Sequence, residues 1–333
     1  MPNHDPIITS PTVNDSFSET ANTTGSTTLH QLSGTMNFKD SDKTDTHTTS
    51  AALTQAVVSG GTAIPGASLT DLQAALTSTI ASDSNGSGVI DWSFSAPDDD
   101  FDFLAQGQTL KLTYNVTVTD NHGGSATQAI NITVTGSNDA PMITISAGAT
   151  VTEQPNTTLS FSPDVAHPTV QFIDPDLAET GFTASVVGVS ASGVTTGLLP
   201  GDLGTAELLS FLHIDSVVKA SGSSSGAINT TFSAPDAAFD YLAAGEQLNI
   251  TYAVQLTDPG GTATTTNVNV TVIGTDDAPV TACRPQLRRR APVAARCHCP
   301  MRLCWRHSPP RSRIRPATIW VKSTGTSPCP TAP

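Results

Sequence analysis

Apolar and polar residues alternate in two stretches of the chain that match each other. Every second residue from Leu110 to Val118 is apolar or aromatic, and so is every second residue from Leu248 to Leu256. This period of two is typical of a strand that turns one face to a core and the other to water. A glycine-containing turn and a second alternating run follow each stretch, so both stretches predict a β-hairpin.

The two hairpins belong to a longer segment that occurs twice. Residues 94–141 and 232–279 are identical at 25 of 48 positions without a gap, which identifies an internal repeat. Further upstream, three features recur after 134 residues, namely Glu19 as Glu153, Phe38 as Phe172, and Asp40-Ser41-Asp42 as Asp174-Pro175-Asp176. We therefore predict repeat one over residues 7–141 and repeat two over 142–279. Residues 1–6 resemble the linker at 138–141 and are interpreted as the remnant of a preceding linker.

The middle of each repeat contains a helical pattern. Residues 68–76 and 204–212 combine a capping residue with apolar residues at helical spacing. Each predicts one short helix across one end of a sandwich. The chain has only 5% aromatic residues and many Thr, Ser, Asn and Gly. Together with the strand patterns, this composition predicts an all-β protein made of two tandem β-sandwiches.

Charge divides the chain into two parts. Residues 1–281 carry four lysines and all 29 acidic residues, a net charge of −25, whereas residues 282–333 carry the other 11 cations, no acid and all five cysteines. The acidic part would repel nucleic acid and anionic membranes and would gain from divalent cations. The sequence contains no run of about 18 apolar residues, so it predicts no membrane span. No secretion signal is visible at the start.

The basic segment shows no strand alternation. We predict that residues 280–333 are unstructured and result from a frameshift, and that shifting the reading frame near codon 281 restores a third acidic repeat. The alternative is a native, disordered basic tail. Cys297-His298-Cys299 with Cys304 fits no closed four-ligand zinc site.

The repeats resemble the VCBS repeats of large bacterial surface adhesins. The resemblance is carried by the FDFLAQGQTLKLTYNVTVTD and NDAP segments of the first copy and by FDYLAAGEQLNITYAVQLTD and DDAP in the second, and it covers residues 1 to about 281. It implies cadherin-like, immunoglobulin-type sandwiches that serve as a stalk outside the cell. Adhesion or biofilm formation is the function that it implies, with neighbouring repeats of the same chain and host or biofilm glycans or proteins as the expected partners.

Calcium is the chemical hypothesis that follows from the acidic residues. Ca²⁺ takes six to eight oxygen ligands, chiefly carboxylates and carbonyls. Each repeat offers a Glu, an Asp-x-Asp pair, a strand-end Asp and an acidic linker, a set that resembles the one gathered at cadherin-like junctions. The candidate ligands are Glu19, Asp40, Asp42, Asp120, Asn138, Asp139, Glu153, Asp174, Asp176, Asp258, Asp276 and Asp277.

Each of these residues has a simpler alternative. Asp and Asn cap turns without any metal. Asp102 and Asp240 lie before the long strand of each repeat and are expected to cap a helical turn. Tyr114 and Tyr252 are expected to point inward, either for core packing alone or with a hydroxyl hydrogen bond at a strand corner.

Catalysis finds no support in the sequence. None of the histidines in residues 1–281 recurs at the matching place in the other repeat, so no shared acid–base site is indicated. The alternatives to a stalk are a glycan- or protein-binding module, or an accessory domain of a secreted enzyme. A binding module needs exposed aromatic residues, for which Trp92 and Phe94 are the best candidates.

Overall fold

Strands form most of each repeat in the computed structural model, which describes residues 2–197 and 204–277. The strands of repeat one are β1 (Ile7–Ile8), β2 (Val13–Ser18), β3 (Leu29–Lys39), β4 (His47–Val58), β5 (Leu76–Ser84), β6 (Ser87–Pro97), β7 (Thr109–Asp120) and β8 (Ser125–Thr135). Those of repeat two are β9 (Met142–Ala147), β10 (Ala149–Thr152), β11 (Pro163–Ala166), β12 (Thr169–Ile173), β13 (Thr183–Gly193), β14 (Leu212–Lys219), β15 (Ser225–Pro235), β16 (Gln247–Thr257) and β17 (Ala263–Ile273). The predicted all-β fold is confirmed.

Both repeats share one arrangement of two sheets. In repeat one the sheets have the strand orders β1-β3-β6-β5 and β2-β8-β7-β4. Repeat two has β9-β12-β15-β14, with β11 also paired to β15, and β10-β17-β16-β13. The predicted hairpins are the antiparallel pairs β7–β8 and β16–β17. The short β2 and β10 each add in parallel to the last strand of their repeat.

Each repeat has its own hydrophobic core. The alternating residues of β7 and β16 are fully buried between the two sheets of their repeat. One core is built from residues before the linker at 138–141, and the other from residues after it. Leu177 of repeat two is the exception, because its side chain packs against the core of repeat one.

The two predicted helices are present as α1 (Gly66–Ala74) and α2 (Thr205–Ser210). A buried tyrosine ties each of them to the sheet that follows. The hydroxyl of Tyr114 donates to the carbonyl of Leu72 at 2.5 Å, and that of Tyr252 donates to the carbonyl of Leu208 at 2.9 Å. Both tyrosines therefore point inward as expected, and each hydroxyl fixes the end of a helix.

Trp92 and Phe94, the best candidates for the exposed aromatic residues of a binding module, are buried. Both lie at inward positions of β6 and are 4% and 0% exposed. The indole of Trp92 packs over Gly34, where an added Cβ would lie 2.8 Å from the ring. In repeat two the same place holds Pro168, whose carbonyl accepts a hydrogen bond from Thr230 at 2.5 Å. Neither ring therefore supplies the exposed aromatic surface that a glycan-binding module needs.

The tail predicted over residues 280–333, with its cysteine cluster, lies outside the described residues. The structure therefore does not test the frameshift interpretation. Within the described part of the chain, no helix has the length and apolar character needed to cross a membrane.

Candidate metal centre

The linker between the repeats is held from both sides. Asn138 Nδ2 donates to Asp258 Oδ2 at 3.1 Å, and the backbone N–H of Asp139 donates to Asp176 Oδ2 at 2.9 Å. On the side of repeat one, the backbone N–H of Thr23 donates to Asp139 Oδ1 at 3.0 Å. The carboxylate of Asp139 is therefore fixed with respect to both repeats.

Three carboxylates meet at this linker, and we call Glu19, Asp102 and Asp139 the junction group. Each is buried and offers an oxygen, and the three oxygens lie within 4.8 Å of one another. Glu19 directly follows β2, Asp102 lies in the turn between β6 and β7, and Asp139 lies in the linker. The fold thus brings together acids from three distant parts of the sequence.

The two oxygens of each carboxylate in the junction group have different surroundings. One oxygen accepts a backbone N–H, from Ser137 to Glu19 Oε2 at 2.9 Å, from Gly25 to Asp102 Oδ2 at 2.7 Å and from Thr23 to Asp139 Oδ1 at 3.0 Å. The other oxygen of each is buried without a hydrogen-bond partner among the described residues. Buried polar atoms normally have a partner, so these three oxygens are candidate ligands for a cation.

Burial disfavours ionisation of the three carboxyl groups in the junction group. It raises the pKa of Glu19 to about 9, with the charges of Asp139, Asp176 and Asp102 adding to the effect. Burial also raises the pKa of Asp139 to about 6, and it raises the pKa of Asp102. A divalent cation in the group would reverse this, because a nearby positive charge favours the ionised form of a carboxylate.

Repeat two repeats this arrangement at its far end, where Glu153, Asp240 and Asp277 form what we call the distal group. Their ligand oxygens also lie within 4.8 Å of one another. Backbone N–H groups of Thr275, Leu159 and Thr157 donate to Glu153 Oε2, Asp240 Oδ2 and Asp277 Oδ1 at 2.9, 2.7 and 3.3 Å. The second oxygens are again buried and unpartnered among the described residues, and burial raises the pKa of Glu153 to about 7.

A third group faces the junction from repeat two, and we call Asp174, Asp176 and Glu179 the loop group. Burial raises the pKa of these carboxyl groups to about 6, 8 and 7 respectively. Unlike the other two groups, this one has a cation beside it. The ammonium of Lys219 donates to the carbonyls of Asp176 and Glu179 at 2.6 and 3.2 Å, and lies 4.0 Å from Asp174 Oδ1.

The opposite end of repeat one is arranged differently. Asp40 Oδ2 contacts His47 Nε2 at 3.0 Å, and Asp42 Oδ2 accepts the backbone N–H of His4 at 2.8 Å. Asp120 lies with Asp45 and His122 in a group of three possible ligands. However, both oxygens of Asp120 already accept hydrogen bonds, from the backbone N–H groups of His122 and Gly124 and from Asn3 Nδ2.

The candidate ligands predicted from the sequence divide into two sets. Those that the structure brings into groups are Glu19 with Asp139, Glu153 with Asp277, Asp174 with Asp176, and Asp120. Those that lie outside the groups are Asp40, Asp42, Asn138, Asp258 and Asp276. Asn138 and Asp258 hydrogen-bond each other, and Asp276 is exposed.

Asp102 and Asp240 were expected to cap a turn, and the structure assigns them different contacts. Their carboxylates accept hydrogen bonds from the backbone N–H groups of Gly25 and Leu159, in the loops that follow Glu19 and Glu153. Their recurrence at the same aligned position was the signal that could have identified them as members of the groups. Glu179 was missed although it aligns with Asp45 at the shift of 134 residues that also relates the two Asp-x-Asp pairs, and each donates its backbone N–H to the carbonyl of the second Asp of its pair.

No family model matches the chain, and no curated protein matches it. Among solved structures, it is similar to the extracellular cadherin domains 1–5 of protocadherin gamma B2, with 16% identity, coverage of 83% of this chain and 40% of that one, and a TM-score of 0.38. It is also similar to mouse protocadherin-24 EC1-3 (13% identity, 81% and 70% coverage, TM-score 0.32) and human CDH23 EC21-23 (15%, 81% and 69%, 0.31). The chain spans less than half of the first of these structures. At such TM-scores the likeness carries no argument about function.

Proposed function

We propose that the two repeats are stalk repeats of a large exported bacterial adhesin, stiffened by Ca²⁺ at their junction. The resemblance to VCBS repeats supports the adhesin and its location at the cell surface, and the acidic groups support the ion. In this role the repeats hold an adhesive or biofilm-forming region away from the cell.

The observation that carries the calcium proposal is the recurrence of one arrangement. In both the junction group and the distal group, backbone N–H donors hold one oxygen of each carboxylate and leave the other buried and unpartnered. Oxygen-only ligands of this kind suit a hard divalent cation, and Ca²⁺ accepts the flexible geometry that such a site offers. Turn capping alone explains the anchored oxygens but not the unpartnered ones.

The ion would stiffen the junction because its ligands come from different parts of it. Glu19 and Asp102 belong to repeat one, whereas Asp139 belongs to the linker and bonds through its backbone to Asp176 of repeat two. Without the cation, nothing joins the three side chains, and those of the carboxyl groups that are ionised repel one another. With it, the same carboxylates become ligands, and the linker is tied to repeat one.

The test uses the full chain in EDTA and in millimolar CaCl₂. We expect Ca²⁺ to raise the unfolding temperature, by about 8 °C if the ion is present at about 100 times its Kd. Scattering should show a narrower distribution of angles between the repeats. D139N should lose much of both effects, whereas D91N removes the same charge at an exposed position and should respond like the wild type. Melting and scattering curves that overlay with and without Ca²⁺ would contradict the proposal.

A further inference from the structure

Lys219 is the single buried lysine or arginine among residues 2–197 and 204–277, and its ammonium lies beside the loop group. Its side chain is fully enclosed. Besides the carbonyls of Asp176 and Glu179, its ammonium approaches the ring of Phe182, with Nζ 5.4 Å from the ring centroid. Carbonyl oxygens, carboxylates and an aromatic face are the surroundings that a cation takes when it is removed from water.

The contacts of Lys219 span residues 174–179, the segment that carries the loop group. By bonding the carbonyls of Asp176 and Glu179, the ammonium holds the segment that carries all three carboxylates of the loop group. Asp176 in turn accepts the backbone N–H of Asp139, so the loop held by Lys219 also positions the linker. A chain of contacts thus runs from the ammonium to the junction group.

Repeat one has no lysine at the position that corresponds to Lys219 of repeat two. Lys219 pairs with Gly226 at the end of β14, and the matching position in repeat one is Asp83, which pairs with Gly88 at the end of β5. Asp83 contacts the Nδ1 of His47, whose ring packs on Phe38 as Phe182 packs on Phe172. The lysine is therefore a property of repeat two and not of the shared fold.

We propose that the Lys219 ammonium is the resident cation of the loop group, so that a divalent cation enters the junction group and not the loop group. This inference rests on the proposed calcium-binding function and adds which of the two neighbouring groups takes the ion. The junction group and the distal group have no lysine or arginine beside them in the described part of the chain, and both keep three unpartnered buried oxygens. The loop group also has unpartnered oxygens, but a positive charge 4.0 Å from Asp174 repels a second cation.

The test counts the Ca²⁺ ions bound by the full chain, with equilibrium dialysis for stoichiometry and calorimetry for affinity. In K219M, the loop group loses its cation and keeps its carboxylates, so we expect about one additional Ca²⁺ per chain. Removal of one positive charge at this distance should tighten binding at the loop group on the order of tenfold. K219Q keeps an N–H donor for the loop carbonyls without the charge and should gain the same ion, whereas K111M changes an exposed lysine of repeat one and should bind as the wild type does.

The unfolding temperature gives a second measurement on the same variants. In EDTA, K219M should melt at a lower temperature than the wild type, because the loop carboxylates then repel one another and the carbonyls lose a donor. Ca²⁺ should raise its unfolding temperature by more than it raises that of the wild type. If K219M and K219Q fold but bind no additional ion, Lys219 has a structural role alone and the inference fails.

The outcomes separate the inference from the proposed function. A wild type that binds no Ca²⁺, together with a K219M variant that binds one ion, would support the role of Lys219 and contradict the calcium-stiffened junction. A wild type that binds Ca²⁺, with no additional ion in K219M or K219Q, would support the calcium-stiffened junction and contradict the role of Lys219. If no form binds Ca²⁺, both are wrong.

Discussion

Binding of Ca²⁺ to the junction group is expected to release protons, and the perturbation that reveals this is a change of pH. Burial raises the pKa of Glu19 to about 9, so this carboxyl group holds a proton in the ion-free protein at pH 7. A carboxylate must be deprotonated to act as a ligand. Each Ca²⁺ that enters the junction group at pH 7 therefore displaces about one proton from Glu19.

The structure also sets the size of the effect. While one proton is displaced per ion, the Kd for Ca²⁺ falls about tenfold for each unit of pH. At the distal group, Glu153 has a pKa of about 7, so its share at pH 7 is about half a proton. The wild type should release about 1.5 protons over both groups, and E19Q, which cannot ionise at residue 19, about one fewer.

The same pKa shift predicts how the ion-free protein responds to pH. The pKa of Glu19 is higher in the folded protein than the ordinary value of 4.5, so the folded state binds this proton more tightly than the unfolded state does. Stability in EDTA should therefore decrease as the pH rises from about 4.5 towards about 9, as far as this group contributes. Saturating Ca²⁺ should remove most of the decrease.

Titration calorimetry provides the assay. The enthalpy of Ca²⁺ binding is measured at pH 7 in three buffers of different ionisation enthalpy, and the slope against that enthalpy gives the number of protons released. The Kd is then compared at pH 6.5 and 7.5. Binding enthalpies that do not depend on the buffer, together with equal Kd values at the two pH values, would refute the assignment of a protonated Glu19 to the binding site.

Three further predictions concern the supporting structure. G34A should destabilise repeat one by about 1–3 kcal/mol in chemical denaturation, because the added Cβ would lie 2.8 Å from the Trp92 ring; an unchanged midpoint would contradict this packing. Y114F should reduce the free energy of unfolding by about 1 kcal/mol, since the carbonyl of Leu72 loses its donor, and a neutral result would contradict this role for the hydroxyl. L177A should widen the distribution of angles between the repeats in scattering and leave both repeats folded, because this side chain packs across the junction.

The strands could be predicted from the sequence because burial imposes its period directly on them. The alternation from Leu110 to Val118 matches the fully buried inward positions of β7. The same rule applied to β6 would have placed Trp92 inside, since Ile90, Trp92 and Phe94 alternate there with polar residues. The error came from treating the aromatic residues as candidates for binding before testing their position in the strand.

The candidate site was only partly predictable, because its geometry depends on contacts between distant segments. Glu19, Asp102 and Asp139 all recur in repeat two, but recurrence does not show that the three side chains meet, which they do only after the two sheets have packed. The ammonium of Lys219 is still harder to foresee. Nothing in the sequence near residue 219 indicates that its side chain is enclosed by a loop some 40 residues earlier.

The differences between the two repeats distinguish the parts of the site that matter to both from those that do not. Asp98 and Asp236 hold the same loop in each repeat through a backbone N–H and a threonine hydroxyl. Their remaining neighbour has changed from His30, at 2.6 Å from Asp98, to Asp164, whose pKa burial raises to about 6. One repeat thus uses a histidine–carboxylate pair where the other uses two carboxyl groups.

The three-carboxylate arrangement shows no such difference between the repeats. A Glu and two Asp residues occupy the same places in both, with the same backbone anchors and the same unpartnered oxygens. A purely structural role would accept other polar pairs, as the replacement of His30 by Asp164 shows for a neighbouring position. The presence of three neighbouring carboxylates in each copy, at a cost in desolvation that their raised pKa values record, supports the proposed cation site.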